Sequence, residues 1–77
     1  MNKEEALKII NDVFIDVLDN KNIIINLNTT ANDVEDWDSL NHIYLVVAIE
    51  KRFGKKFTAK QIQQWSCVGD VLKDLNN

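Results

Sequence analysis

The sequence predicts an all-α fold, a four-helix bundle with a long first loop and a short third helix, on three observations. Apolar residues recur at spacings of three and four in separate stretches, the period of an amphipathic helix. Proline is absent and glycine occurs only as Gly54 and Gly69, so little interrupts helical backbone. The one β-branched run, Ile23-Ile24-Ile25, has no second alternating stretch to pair with, and a lone strand leaves its backbone hydrogen bonds unmade.

The first helix is expected over residues 3–18. Ala6, Ile10, Val13, Phe14 and Val17 form its apolar stripe, with Leu7 and Leu18 on the flank. Glu4 and Glu5 sit in the first turn, where the helix dipole favours acids. Asp19-Asn20-Lys21-Asn22 ends it with turn-forming residues. Residues 19–38 then read as a long ordered loop whose three isoleucines and Leu27 lie across the bundle as an apolar strap. Thr29-Thr30 is expected to open one helical turn before Trp37, a side chain large enough to pin the loop to the bundle.

The second helix is expected from Ser39 to about Phe53, closed by Gly54 in the left-handed conformation. At 100° per residue it carries two apolar faces, His42, Leu45, Val46, Ile49 and Phe53 on one and Leu40, Ile43, Tyr44 and Val47 on roughly the other. One helix in a small bundle cannot bury both against the same neighbours. Either the loop covers the second face or Leu40, Ile43 and Val47 remain accessible to partners. Thr58 and Gln61 form a capping box that opens a short third helix with Ile62 and Trp65 inward. Ser66 is the expected N-cap of a fourth helix, whose inner face is Val68, Val71, Leu72 and Leu75.

With 77 residues there is room for one domain, 1–77, in which a catalytic cleft would compete with the core for side chains. A binding or carrier module is therefore expected rather than an enzyme. The net charge of −3 and the acidic run Asp33, Glu35, Asp36 and Asp38 argue against nucleic acid and for positively charged protein surfaces. A single cysteine, Cys67, rules out an internal disulfide and, with the single His42, supplies no metal-ligand spacing. The N-terminal apolar residues are broken by Lys8, Asn11, Asp12 and Asp16, so no signal peptide or membrane span is expected and the location is expected to be cytoplasmic.

Ser39 is the residue on which function is read. Following Asp38 at the mouth of an apolar helix, its hydroxyl stands where backbone N–H groups point outward and the dipole suits an anion. Asp38 is the expected helix cap. Asp38, Ser39 and His42 do not make a hydrolytic triad, because the sequence shows no nucleophile elbow and no prepared oxyanion site.

Asp38-Ser39-Leu40, continued by Asn41-His42-Ile43-Tyr44-Leu45 through Phe53-Gly54, resembles the helix-opening serine motif of acyl carrier proteins and related thiolation domains. The resemblance covers the whole chain, with the helices and the long loop in the family's order. It implies covalent 4'-phosphopantetheine on Ser39, placed there from coenzyme A by a phosphopantetheinyl transferase, and an acyl cargo held as a thioester. It also gives Asp38 a supporting role in that modification, helping to hold the transferase's magnesium ion, with no metal bound by the domain itself. The implied partners are the transferase, an acyl- or aminoacyl-loading enzyme and a downstream acyltransferase or synthase, each serving a monomeric carrier. Leu40, Ile43, Val47 and Trp37 are the expected partner contacts.

The chain departs from the family at Trp37, where many stand-alone carriers have a small residue, and along the serine helix. Asn41, Tyr44, Lys51 and Arg52 stand where carriers of bacterial fatty-acid synthesis commonly have acids, leaving +1 from Ser39 to Phe53 when Lys51 and Arg52 are set against Glu50. A dedicated carrier in a specialised pathway is therefore expected. An aminoacyl or peptidyl carrier, or an unmodified helical adaptor using the same apolar face, are the alternatives.

Overall fold

The computed structural model describes residues 2–75 and places four helices among them, α1 (Lys3–Leu18), α2 (Ser39–Phe53), α3 (Ala59–Gln64) and α4 (Val68–Leu75). Asn2 caps α1 by accepting the Glu5 N–H at 2.8 Å. Asp19 ends the helix at φ 51°, a left-handed position that short polar side chains tolerate better than most. Ala6, Ile10, Val13, Phe14 and Leu18 of α1 are buried against Leu45, Val46 and Ile49 of α2 and Val68, Val71 and Leu72 of α4. Leu18 is the buried residue at the end of the stripe, and Val17 is only partly covered. Burying a side chain such as Ile10 or Phe14 contributes about 1.5–3 kcal/mol, so α1 is the helix around which the others are laid.

The segment between α1 and α2 is a strap, as its composition predicts, but only alternate residues face inward. Ile23 and Ile25 are buried whereas Ile24 is 88% exposed, because an extended chain turns successive side chains to opposite sides. Leu27, at 37% exposure, also stays out of the buried cluster, so two of the four expected strap residues do not enter the core. What holds the extended stretch is a polar side chain of α1. Asn11 donates its amide to the Ile23 carbonyl at 3.2 Å and accepts the Ile25 N–H at 2.7 Å, standing in for the neighbouring strand that the loop lacks.

Beyond the strap the chain makes turns, not the helical turn expected at Thr29-Thr30. The Asp33 N–H bonds the Thr30 carbonyl and the Trp37 N–H bonds the Val34 carbonyl, each at 3.0 Å. The Asp33 carboxylate accepts the Thr30 N–H at 3.0 Å, which closes the turn over residues 30–33.

The start of α4 differs from expectation as well. Ser66 lies two residues before Val68 and is not its cap; its own N–H donates to the Asp70 carboxylate at 2.8 Å. The first N–H groups of α4 are satisfied from the strap instead, Val68 by the Thr29 carbonyl and Gly69 by the Leu27 carbonyl, both at 2.9 Å. Thr30 and Cys67 form an isolated antiparallel bridge beside them. This approach needs Gly69, since a Cβ there would lie 2.9 Å from the Leu27 carbonyl oxygen.

Gly54 closes α2 at φ 62°, as the sequence indicates, and Glu50 holds the following loop by accepting the Phe57 N–H at 2.8 Å. Thr58 and Gln61 form the expected capping box of α3. At the far end of α4, the Lys55 ammonium donates to the Asp74 and Leu75 carbonyls at 2.7 and 3.2 Å. Among the described residues, no helix is long and apolar enough to cross a membrane.

Candidate functional site

Asp38 has extended backbone, φ −102° and ψ −176°, and its carboxylate accepts the Asn41 N–H at 2.8 Å, so it is the cap that the sequence predicts for α2. Asn41 reaches back to donate to the Asp36 carbonyl at 2.8 Å, fastening the entry to the helix. These contacts fix Ser39 as the first residue of α2, exposed, with its side chain outside the core. The N–H groups of Ser39 and Leu40 precede the first backbone bond of the helix, from His42 to the Asp38 carbonyl at 2.8 Å. An oxygen-rich anion on the serine would meet those donors and the positive end of the dipole.

Beneath the serine lies an aromatic layer that sequence reasoning found only in part. Trp37 is buried, with its ring edge-on to Phe14 at a centroid distance of 5.0 Å, and this ties the end of the strap to α1. Its indole N–H donates to His42 Nδ1 at 2.9 Å. Burial corrects the expectation of Trp37 as a partner contact, because at 8% exposure it offers a partner almost no surface. His42 sits at the core edge, and Trp65 stands edge-on to it at 6.1 Å and edge-on to Phe57 at 4.8 Å. Trp65 is anchored in turn by donating to the Asp74 carboxylate at 2.6 Å.

A cleft of about 500 Å³ opens beside Ser39, walled by Trp37, Asp38, His42, Ile62, Gln63 and Trp65. Its far wall comes from the end of α3, twenty or more residues downstream of the serine. No local motif links those residues to Ser39; only the i, i+3 spacing of Ser39 and His42 was there to be read.

The second apolar face of α2 is not covered by the loop. Leu40, Ile43, Tyr44 and Val47 are 61%, 59%, 54% and 44% exposed, a contiguous stripe running away from the serine. The acids Asp33, Glu35, Asp36 and Asp38 are exposed at its serine end, and Lys51 and Arg52 are exposed at the other. Cys67 is a free, partly buried thiol beside Thr30, remote from this stripe in the chain. Among the described residues no cluster of three or more His, Cys, Asp or Glu side chains is placed to hold a metal ion.

The comparisons with known proteins agree with this geometry. The family model described as the phosphopantetheine attachment site matches residues 8–75. Among solved structures, the chain is similar to the solution structure of a holo acyl carrier protein from Geobacter metallireducens. That match has 32% identity and a TM-score of 0.85, and covers 92% of this chain and 82% of that one. No curated protein sequence matches. A family match over nearly the whole described chain, on a four-helix fold shared with an acyl carrier protein, makes this chain a member of the phosphopantetheine-attachment family, carrier proteins whose cofactor is a covalently attached 4'-phosphopantetheine.

Proposed function

We propose that Ser39 is the attachment point and that the chain carries an acyl group or similar small carboxylate for a specialised pathway. The observation that carries this reading is the exposed hydroxyl at the first position of α2, held there by the Asp38 cap. The residues present suit the group: the Ser39 and Leu40 N–H groups and the helix dipole favour a phosphodiester, and the open cleft leaves room for an arm to lie. When attached, the group supplies a terminal thiol on a flexible arm that holds a carboxylic acid as a thioester. The chain's own residues present the hydroxyl, keep the first turn rigid and offer partners a surface. Asp38 serves both as cap and as a support for the transferase's magnesium during modification.

Leu40, Ile43 and Val47 are the partner-docking residues in this reading, supported by their exposure on a helix that already buries its other face. The partners are a phosphopantetheinyl transferase, a loading enzyme and a downstream acyltransferase or synthase, met by a monomer in the cytoplasm. Lys51 and Arg52 at the far end of the stripe support partners other than those selecting an all-acidic helix. Incubation with coenzyme A and a broad-specificity transferase, followed by intact-mass measurement, tests the attachment. One added arm is expected on the parent protein and none on Ser39→Ala; a folded parent that never gains the mass would refute the assignment.

A further inference from the structure

We propose that His42 binds the phosphate of the arm through its Nε2–H, in a tautomer fixed by Trp37; the inference rests on attachment at Ser39. An indole N–H can donate and never accept. Because Trp37 Nε1 donates to His42 Nδ1 at 2.9 Å, Nδ1 must present its lone pair, and a neutral imidazole then carries its proton on Nε2. The choice between two otherwise similar tautomers is thus made by a buried residue outside the helix.

The ring's orientation is fixed too. It lies 19° from the plane of Trp37 at 6.0 Å and edge-on to Trp65 at 6.1 Å, and Trp65 is itself tied to Asp74. Among the described residues, Trp37 is the only side-chain hydrogen-bond partner of His42, and no buried side-chain nitrogen or oxygen lacks a partner. His42 lines the cleft that it shares with Ser39, and with Nδ1 taken by Trp37 the Nε2–H is the ring donor left to serve that cleft. It is a donor, on a ring held by Trp37 and Trp65, with no protein acceptor among the described residues.

Position identifies the acceptor. Ser39 and His42 are three residues apart on α2, so their Cβ atoms are neighbours at about 5–6 Å. A phosphodiester on Ser39 Oγ brings its unesterified oxygens within the span of that gap. The chemistry suits a pre-oriented N–H, since hydrogen bonds to charged acceptors are about twice as strong as neutral ones. The Ser39 and Leu40 N–H groups serve the phosphate from the helix end, and His42 serves it from the cleft side. The arm would then leave the serine toward Ile62 and Trp65, not along the exposed stripe of Leu40 and Ile43.

The test compares nitrogen-15-labelled protein with and without the arm, first confirming by mass that the arm is present and absent from Ser39→Ala. Long-range proton–nitrogen spectra of the unmodified protein should show the Nε2–H tautomer of His42. Attachment should move the Nε2 resonance, and the phosphorus-31 resonance should differ between parent and His42→Phe, with His42→Gln restoring the parent position. Trp37→Phe, which frees the tautomer while also trimming one wall of the cleft, should shift the phosphorus signal toward that of His42→Phe and let the Nδ1–H tautomer appear in the long-range proton–nitrogen spectrum. If His42→Phe fails to fold, the Nε2 resonance of the parent with and without the arm decides alone. An arm demonstrably on Ser39 with unmoved Nε2 and phosphorus signals would overturn this inference only, whereas failure to add the arm would overturn it together with the attachment site.

Discussion

Replacing Asn11 by alanine tests whether the strap is held by a side chain or merely by its own buried isoleucines. The variant removes the acceptor of the Ile25 N–H, a part-buried donor bonded at 2.7 Å, and the weaker contact to the Ile23 carbonyl at 3.2 Å. An orphaned donor costs about 1–3 kcal/mol and the second bond adds about 0.5–1 kcal/mol. Alanine is the better helix former by about 0.6 kcal/mol, which offsets part of that. The net expectation is a loss of about 2 kcal/mol, against a total of about 4–12 kcal/mol for a domain of this length. In a thermal melt the same loss lowers Tm by about 8–16 °C. Urea unfolding measures the stability, and amide exchange at Ile25 reports the individual bond. The sign decides the matter: if Asn11 were an ordinary polar residue on an exposed helix surface, propensity alone would make the variant more stable. A variant as stable as the parent, with the Ile25 amide still protected, would refute the clamp.

Three further outcomes are expected. Gly69→Ala forces a Cβ to within 2.9 Å of the Leu27 carbonyl oxygen, so urea unfolding should show a loss of about 1–3 kcal/mol, with faster exchange of the amide at position 69. Asp38→Ala removes the acceptor for the Asn41 N–H and should cost about 1 kcal/mol in the same assay, while Asp38→Asn, which keeps a capping oxygen, should cost much less. Ile43→Lys changes a residue 59% exposed, so stability should stay within about 0.5 kcal/mol of the parent. Its catalytic efficiency as a transferase substrate should fall about tenfold or more, the size of a lost interface anchor worth about 1.4 kcal/mol. Unchanged efficiency would remove Ile43 from the docking face.

The helices were legible in the sequence because their signals are local. Asp38 to Gly54 carries a cap, a period and a left-handed stop within seventeen residues, and Thr58 with Gln61 announces α3 in four. The start of α4 was not legible, because its first donors are met by Leu27 and Thr29, some forty residues upstream, and Ser66 offered a plausible local substitute. Asn11 was hidden for a similar reason: in an amphipathic pattern an asparagine reads as surface, and its partners are backbone groups twelve and fourteen residues away. The isoleucine run looked uniformly apolar, and only the extended backbone separates Ile23 and Ile25 from Ile24. At the site, Ser39 and Asp38 declared themselves as neighbours in the chain. The bond between Trp37 and His42 crosses the loop–helix boundary, where no helical spacing applies, and it takes the folded chain to turn Trp37 from a candidate contact into a buried donor.

The capping of α4 by the strap carries a consequence for how the chain assembles. Eight residues are too few to sustain a helix in water, and the first two N–H groups of this one are bonded by the strap. A fragment spanning only the last dozen residues should thus be a random coil, and its order in the intact protein is lent by the chain's first half. Unwinding of α4 and detachment of the strap become a single event, so the loop before the serine stays in place only as long as α4 does.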